Sequence, residues 1–98
     1  MVKEVVWNIR ALQDRTSIYQ YWLFHNQLDS YSKKLEFLFQ SSAKFIAAFP
    51  EIGTKTEIPG VRVKITRNFK FFYRFDSEAI EILRVWDSHQ NHDTLKLF

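Results

Sequence analysis

Val61-Arg62-Val63-Lys64-Ile65-Thr66-Arg67-Asn68-Phe69-Lys70-Phe71-Phe72-Tyr73-Arg74-Phe75 is the stretch on which the fold turns, because its residues alternate with a period of two. Successive strand side chains point to opposite faces, so Val61, Val63 and Ile65 share one side and Arg62, Lys64 and Thr66 the other. Arg67-Asn68 breaks the run as a turn, after which Phe69, Phe71, Tyr73 and Phe75 alternate with Lys70, Phe72 and Arg74 to give a second strand. Five basic residues and no acidic one lie between Val61 and Phe75, so the local field is positive. The expectation is a single cationic surface running from Arg62 to Arg74 on a sheet.

Downstream, Asp76-Ser77-Glu78 turns the chain, and Ala79 to Trp86 is a largely apolar third strand whose near-continuous hydrophobicity suits a central position. Upstream, Thr54 to Gly60 reads as a polar connection. Pro50 and Gly53 end a helix over about 30–48, since proline disfavours a helical residue before it. That helix carries Tyr31, Leu35, Leu38, Phe45 and Phe49, with Phe39 and Ile46 widening the stripe. Another helix spans about 11–25, with Leu12, Ile18, Tyr19, Trp22 and Leu23 at three- and four-residue spacing. Asn26 is its expected stop, and Asp29 or Ser30 the cap of the next. So short a link gives an antiparallel helical hairpin. Val5-Val6-Trp7 opens the chain as a short strand. The fold class expected is α+β: an N-terminal strand, then a helical hairpin packed on a three- to four-stranded antiparallel sheet, all within one domain over 1–98.

The composition agrees. Of 98 residues 46% are hydrophobic, with ten Phe, four Tyr and three Trp against two Gly and two Pro, which favours a packed domain over disorder. The absence of cysteine removes disulfides, thiolate nucleophiles and cysteine-based zinc sites. The formal charge of +3 is mild, so its concentration near the central strands matters more than its size. Neither a signal peptide nor an apolar run of about 18 residues is visible, and a soluble cytoplasmic protein without membrane association is expected.

Several strings, taken in order, resemble the RelE/ParE toxins of type II toxin-antitoxin systems. They are Phe49-Pro50-Glu51-Ile52-Gly53 after the helical hairpin, Val61-Arg62-Val63-Lys64, Phe71-Phe72-Tyr73-Arg74-Phe75, and Ile82-Leu83-Arg84-Val85-Trp86, so the resemblance covers nearly the whole chain. It implies a toxin that arrests growth, serves plasmid stabilisation, and is neutralised by a cognate antitoxin in a hetero-oligomer. It also implies one of two targets: RelE-like members cleave messenger RNA on the ribosome, whereas ParE-like members inhibit DNA gyrase without catalysis. Ile82-Leu83-Arg84-Val85 and the long hairpin are similar to the ParE side.

Metal-free RNA cleavage needs a base for the 2′-hydroxyl, an acid for the leaving oxygen, and cations for the charged phosphorane. By position, the resemblance places an endoribonuclease's cations on Arg62, Lys64 and Lys70, and places His89 where these nucleases carry an arginine. Histidine titrates near neutrality but lacks the permanent charge and forked donors of arginine. Arg67, Phe72 and Arg74 are the RNA-binding candidates, with the Phe72 ring able to stack on a base or, equally, to pack beneath a helix or an antitoxin. The plainer reading makes Arg62, Lys64, Lys70 and Arg74 the solvated face of a sheet, His89 and His92 a polar tail, and Trp22, Phe45 and Phe71 core residues. Three histidines without ligand spacing suggest no metal, and no cofactor is expected.

Overall fold

The computed structural model describes residues 2–26 and 29–88. In chain order the elements are β1 (Glu4–Trp7), α1 (Ile9–Asn26), α2 (Asp29–Ala48), β2 (Thr54–Lys55), β3 (Arg62–Thr66), β4 (Phe69–Phe75) and β5 (Ala79–Asp87). The five strands form one sheet in the order β1-β5-β4-β3-β2. The two helices pack on one of its faces. The chain is therefore α+β as expected, with two corrections to the sheet. It has five strands rather than three or four, and it is mixed, because β1 runs parallel to β5. Parallel neighbours need a long crossover, and the helical hairpin supplies the route. β2 contributes only two residues, too few for any period to reveal it within the polar connection.

Asn8 starts α1 earlier than the apolar pattern indicated. Its side-chain oxygen accepts a hydrogen bond from the backbone N–H of Arg10 at 2.9 Å, which satisfies one of the free donors of the first turn. The expected cap and stop residues Asn26, Asp29 and Ser30 have side chains outside the description, as does the link between the helices.

Each helix is buried along a line narrower than its sequence stripe. In α1 the line runs through Ala11 and Ile18 with Tyr19 and Trp22 beside them, while Leu12 and Leu23, expected to be inside, are exposed. In α2 it runs through Leu35, Phe39, Ala43, Ile46 and Ala47, and leaves Phe45 and Phe49 outside. The alanines explain the difference. Small side chains let a helix lie close to the sheet, so the face that docks is set by fit as well as by bulk. Phe39 then meets Phe69 edge-on at 5.0 Å and Phe71 at 5.8 Å between ring centroids.

β5 is central, between β1 and β4, as its apolar run indicated. Its pairing with β4 shifts between Phe72↔Arg84 and Tyr73↔Ile82, leaving Leu83 as the extra residue of a bulge. Past Ile82 it has no β1 partner. There α1 closes the edge: Asp14 accepts hydrogen bonds from the Val85 N–H at 2.9 Å and from Arg84 Nε and Nη2 at 2.7 and 2.9 Å.

Candidate functional site

The β3–β4 hairpin closes on a two-residue turn, with Thr66 opposite Phe69 and then Ile65 opposite Lys70, Lys64 opposite Phe71, Val63 opposite Phe72 and Arg62 opposite Tyr73. Residues directly opposite each other share a face. Arg62, Lys64 and Thr66 therefore lie on the helix-bearing side with Phe69, Phe71 and Tyr73. Lys70, Phe72 and Arg74 lie on the far side with Val63 and Ile65. The expected common cationic surface does not exist, because the cations of the two strands point to opposite faces. The signal was in the sequence. A turn of two residues pairs even positions with odd ones, and all four strand cations sit at even positions.

Val61 and Val63 face a second, small cluster on the far side, made with Phe72, Leu83, Ile58 and Trp86. Phe72 is buried there, with its ring 4.6 Å from that of Trp86. That corrects its expected place on an open basic face, and the packing leaves no ring face open for a base. Beyond this cluster Arg74 Nε bonds Glu81 Oε1 at 2.8 Å. The Asn8 amide, followed by Arg74, holds the Glu81 carboxyl below its ordinary value, against the opposing effect of burial. Lys70 is half-buried opposite Trp86.

On the helix side, Arg62 is engaged with the backbone. Its Nη1 donates to the carbonyls of Gly53 at 2.8 Å and Glu51 at 3.2 Å. Its pair-mate Tyr73 reaches the same turn, donating its hydroxyl to Pro50 O at 2.6 Å and accepting from Gly53 N at 2.9 Å. Burial raises the Tyr73 phenol above its ordinary value, opposed by the Gly53 N–H and the Arg62 charge. Gly53 is obligatory for this lock. A Cβ there would stand 2.7 Å from the Tyr73 hydroxyl and 2.9 Å from Val63 O. The two strings Phe49–Gly53 and Phe71–Phe75 are thus one structural unit, a link that neither string shows alone.

Lys64 and Arg67 open onto a groove between α2 and β3. Lys33, Lys34, Phe37, Leu38, Ser41 and Arg67 line one hollow of about 480 Å³, and Leu38, Ser41, Ser42, Phe45, Lys64 and Thr66 line its continuation. No acidic residue lines either hollow. Arg67 occupies the turn with φ of 55°, a conformation that glycine adopts more readily. Periodicity missed Lys33, Lys34 and Phe37 as surface residues of interest, because only the docking of α2 shows which of its sides remains open. His89 lies outside the described residues, as does His92. Among the described residues no three His, Asp or Glu side chains gather to hold a metal ion, and no helix is long and apolar enough to cross a membrane.

A family model described as the ParE toxin of type II toxin-antitoxin system, parDE, matches residues 5–92. Among solved structures, the chain is similar to one titled a chromosomal ParDE TA system from P. aeruginosa, with 22% identity, 88% of this chain and 96% of that chain covered, and a TM-score of 0.62. It is also similar to the RelBE2 toxin-antitoxin complex from Mycobacterium tuberculosis, with 17% identity, 89% and 99% covered, and a TM-score of 0.63. At these identities the likeness is one of fold. No curated protein matches the sequence.

Proposed function

The chain belongs to the ParE toxin family of type II toxin-antitoxin systems, and from that premise we propose that it arrests growth in the cytoplasm by binding DNA gyrase, without catalysis. A cognate antitoxin holds it inactive. The observation that carries the non-catalytic reading is the register of the β3–β4 hairpin. Arg62 and Lys64 stand on one face of the sheet and Lys70 on the other, so the three cations that RNA cleavage would ask for do not converge on one phosphate. Arg62 is in addition committed to the carbonyls of Glu51 and Gly53. Electrostatic catalysis depends on donors aimed together at the developing charge, and these are not.

Two assays separate the targets. Purified toxin added to gyrase is expected to abolish supercoiling of relaxed plasmid at near-stoichiometric ratios, while primer extension on messages from expressing cells shows no new ends. Unaltered supercoiling together with fresh message cuts would overturn the reading in favour of a ribosome-dependent endoribonuclease, with Lys64 and Arg67 as the cations left in one groove.

A further inference from the structure

The C-terminal end of α2 carries an uncovered aromatic ridge. Phe45 is 46% exposed, Phe49 57%, and Ile52, just beyond the helix, 48%. Phe45 and Phe49 stand four residues apart, which sets them along one side of the helix, and their ring centroids are 5.2 Å apart. Beside the ridge lies a hollow of about 570 Å³ whose apolar lining includes Phe49, Pro50, Ile52 and Phe75, and whose charged members are Lys3 and Glu51. Lys3 Nζ sits 5.8 Å from the centroid of the Phe75 ring, and its charge also reaches the Asp76 carboxylate. The Lys3 N–H donates to the Ala47 carbonyl at 3.2 Å, whereas Glu51 follows the end of the helix. The cation and the anion therefore flank Phe49 along the direction of α2.

This arrangement complements itself. A two-fold interface sets one patch against its own copy, so each contact of one residue with another occurs twice. About a two-fold axis that crosses α2 at Phe49, the two Phe49 rings meet, Phe45 of each copy covers Ile52 of the other, and each Lys3 turns towards Glu51 of the other. We propose that the occupant of this ridge is a second copy of the chain, paired in that way.

Charge decides for this occupant. A partner of one sign would set either Lys3 or Glu51 against a like charge, whereas a second copy matches both. The paired α2 helices run antiparallel, and their N-terminal ends point apart. Lys33 lies sixteen residues before Phe49, so the Lys33 and Lys34 cations of the two copies stand about 48 Å from each other at about 1.5 Å of rise per residue. That is several times the screening length of about 8 Å at physiological ionic strength, and the like charges do not oppose the pairing. Area sets its strength. Phe45, Phe49 and Ile52 expose about 300 Å² when each side chain is taken at about 200 Å². Such an apolar core is small beside the roughly 800 Å² per partner of a standard interface, so the dimer is weak and concentration-dependent.

Sedimentation velocity on the full chain, from low to high micromolar concentration, tests the pairing. The parent is expected to pass from one copy to two over that range, and the F45S/F49S variant to remain a single copy throughout. K3E and E51K should each weaken pairing by at least about tenfold, because like charges then face each other at both contacts. An equimolar mixture of those two variants brings opposite charges together again and should pair about as tightly as the parent. Loss of fold in either variant could not produce that recovery, and thermal melting checks each one. A parent that stays a single copy at the highest concentration would overturn the proposal and leave the ridge to a partner of another kind. So would a dimer that survives the F45S/F49S change, or a mixture that pairs no better than its separate components.

Discussion

Two arginine–carboxylate pairs, one at the sheet edge that α1 closes and one on the far face, look equivalent in sequence and differ in physical character. Arg84 meets Asp14 through two nitrogens with side-chain exposures of 7% and 15%, and the same carboxylate accepts the Val85 N–H. Arg74 meets Glu81 through one nitrogen, with exposures of 60% and 27%. The first pair closes a strand edge under α1. The second lies in water. The same division runs through the lysines and arginines of the β3–β4 hairpin: Arg62 is tied to a turn, Lys64 rims a groove, and Lys70 and Arg74 sit on the side opposite α1 and α2. A cation's role here follows from the face on which pairing sets it.

The largest effect should come from breaking the buried pair. Asp14→Ala removes the carboxylate that meets the buried Arg84 guanidinium and takes the acceptor from the Val85 N–H, and is expected to cost about 3–5 kcal/mol in urea denaturation. A loss below about 1 kcal/mol would mean that water reaches Arg84 and that the two pairs differ less than the geometry indicates.

Next comes the lock between Tyr73 and the Pro50–Gly53 turn. Gly53→Ala forces a methyl group against the Tyr73 ring and the Val63 carbonyl, and is expected to destabilise by about 1–3 kcal/mol, read as a lowered melting temperature. Tyr73→Phe removes the hydroxyl and should recover part of that loss in the double variant, which identifies the clash as the cause.

The same tyrosine gives a pH dependence whose sign is fixed. Its folded-state pKa is raised by burial above the ordinary 10.0. Below that value both states hold the proton and its contribution is fully present. Above it the unfolded chain releases the proton while the folded chain retains it, so stability falls as pH rises through the interval up to the folded pKa. Denaturation between pH 9 and 11 should show that fall in the parent, and a shallower one in Tyr73→Phe.

The smallest effect is expected on the far face. Arg74→Ala removes an exposed ion pair and should change stability by no more than about 0.5 kcal/mol, within the range measured for surface pairs. A substantially larger loss would show that the Asn8–Glu81–Arg74 chain acts as a unit.

Much of this architecture is written in local pattern. The period of two through 61–75 marks β3 and β4, the apolar run through 79–86 marks the central β5, and the helical spacing upstream marks the hairpin. Burial was harder to read. Phe45 and Phe49 look like core by size, yet α2 docks through Ala43 and Ala47, because a helix seats where its surface is smooth enough to approach. Phe72 looks like a stacking platform by its basic neighbours, yet Trp86 lies against it.

For the candidate site, the residue types were legible and their grouping was not. Alternation within one strand tells which of its own side chains share a face, and that is a property of a single chain segment. Whether Arg62 joins Lys70 depends on how two strands are paired, and which side of α2 stays open depends on what the other side meets. The amino-acid order by itself marked every element but β2, together with the positive hairpin and the family strings. Only the packed structure set Arg62 on the Gly53 carbonyl, parted the cations between two faces, and left an aromatic ridge uncovered, because those outcomes arise from contacts between segments far apart in sequence.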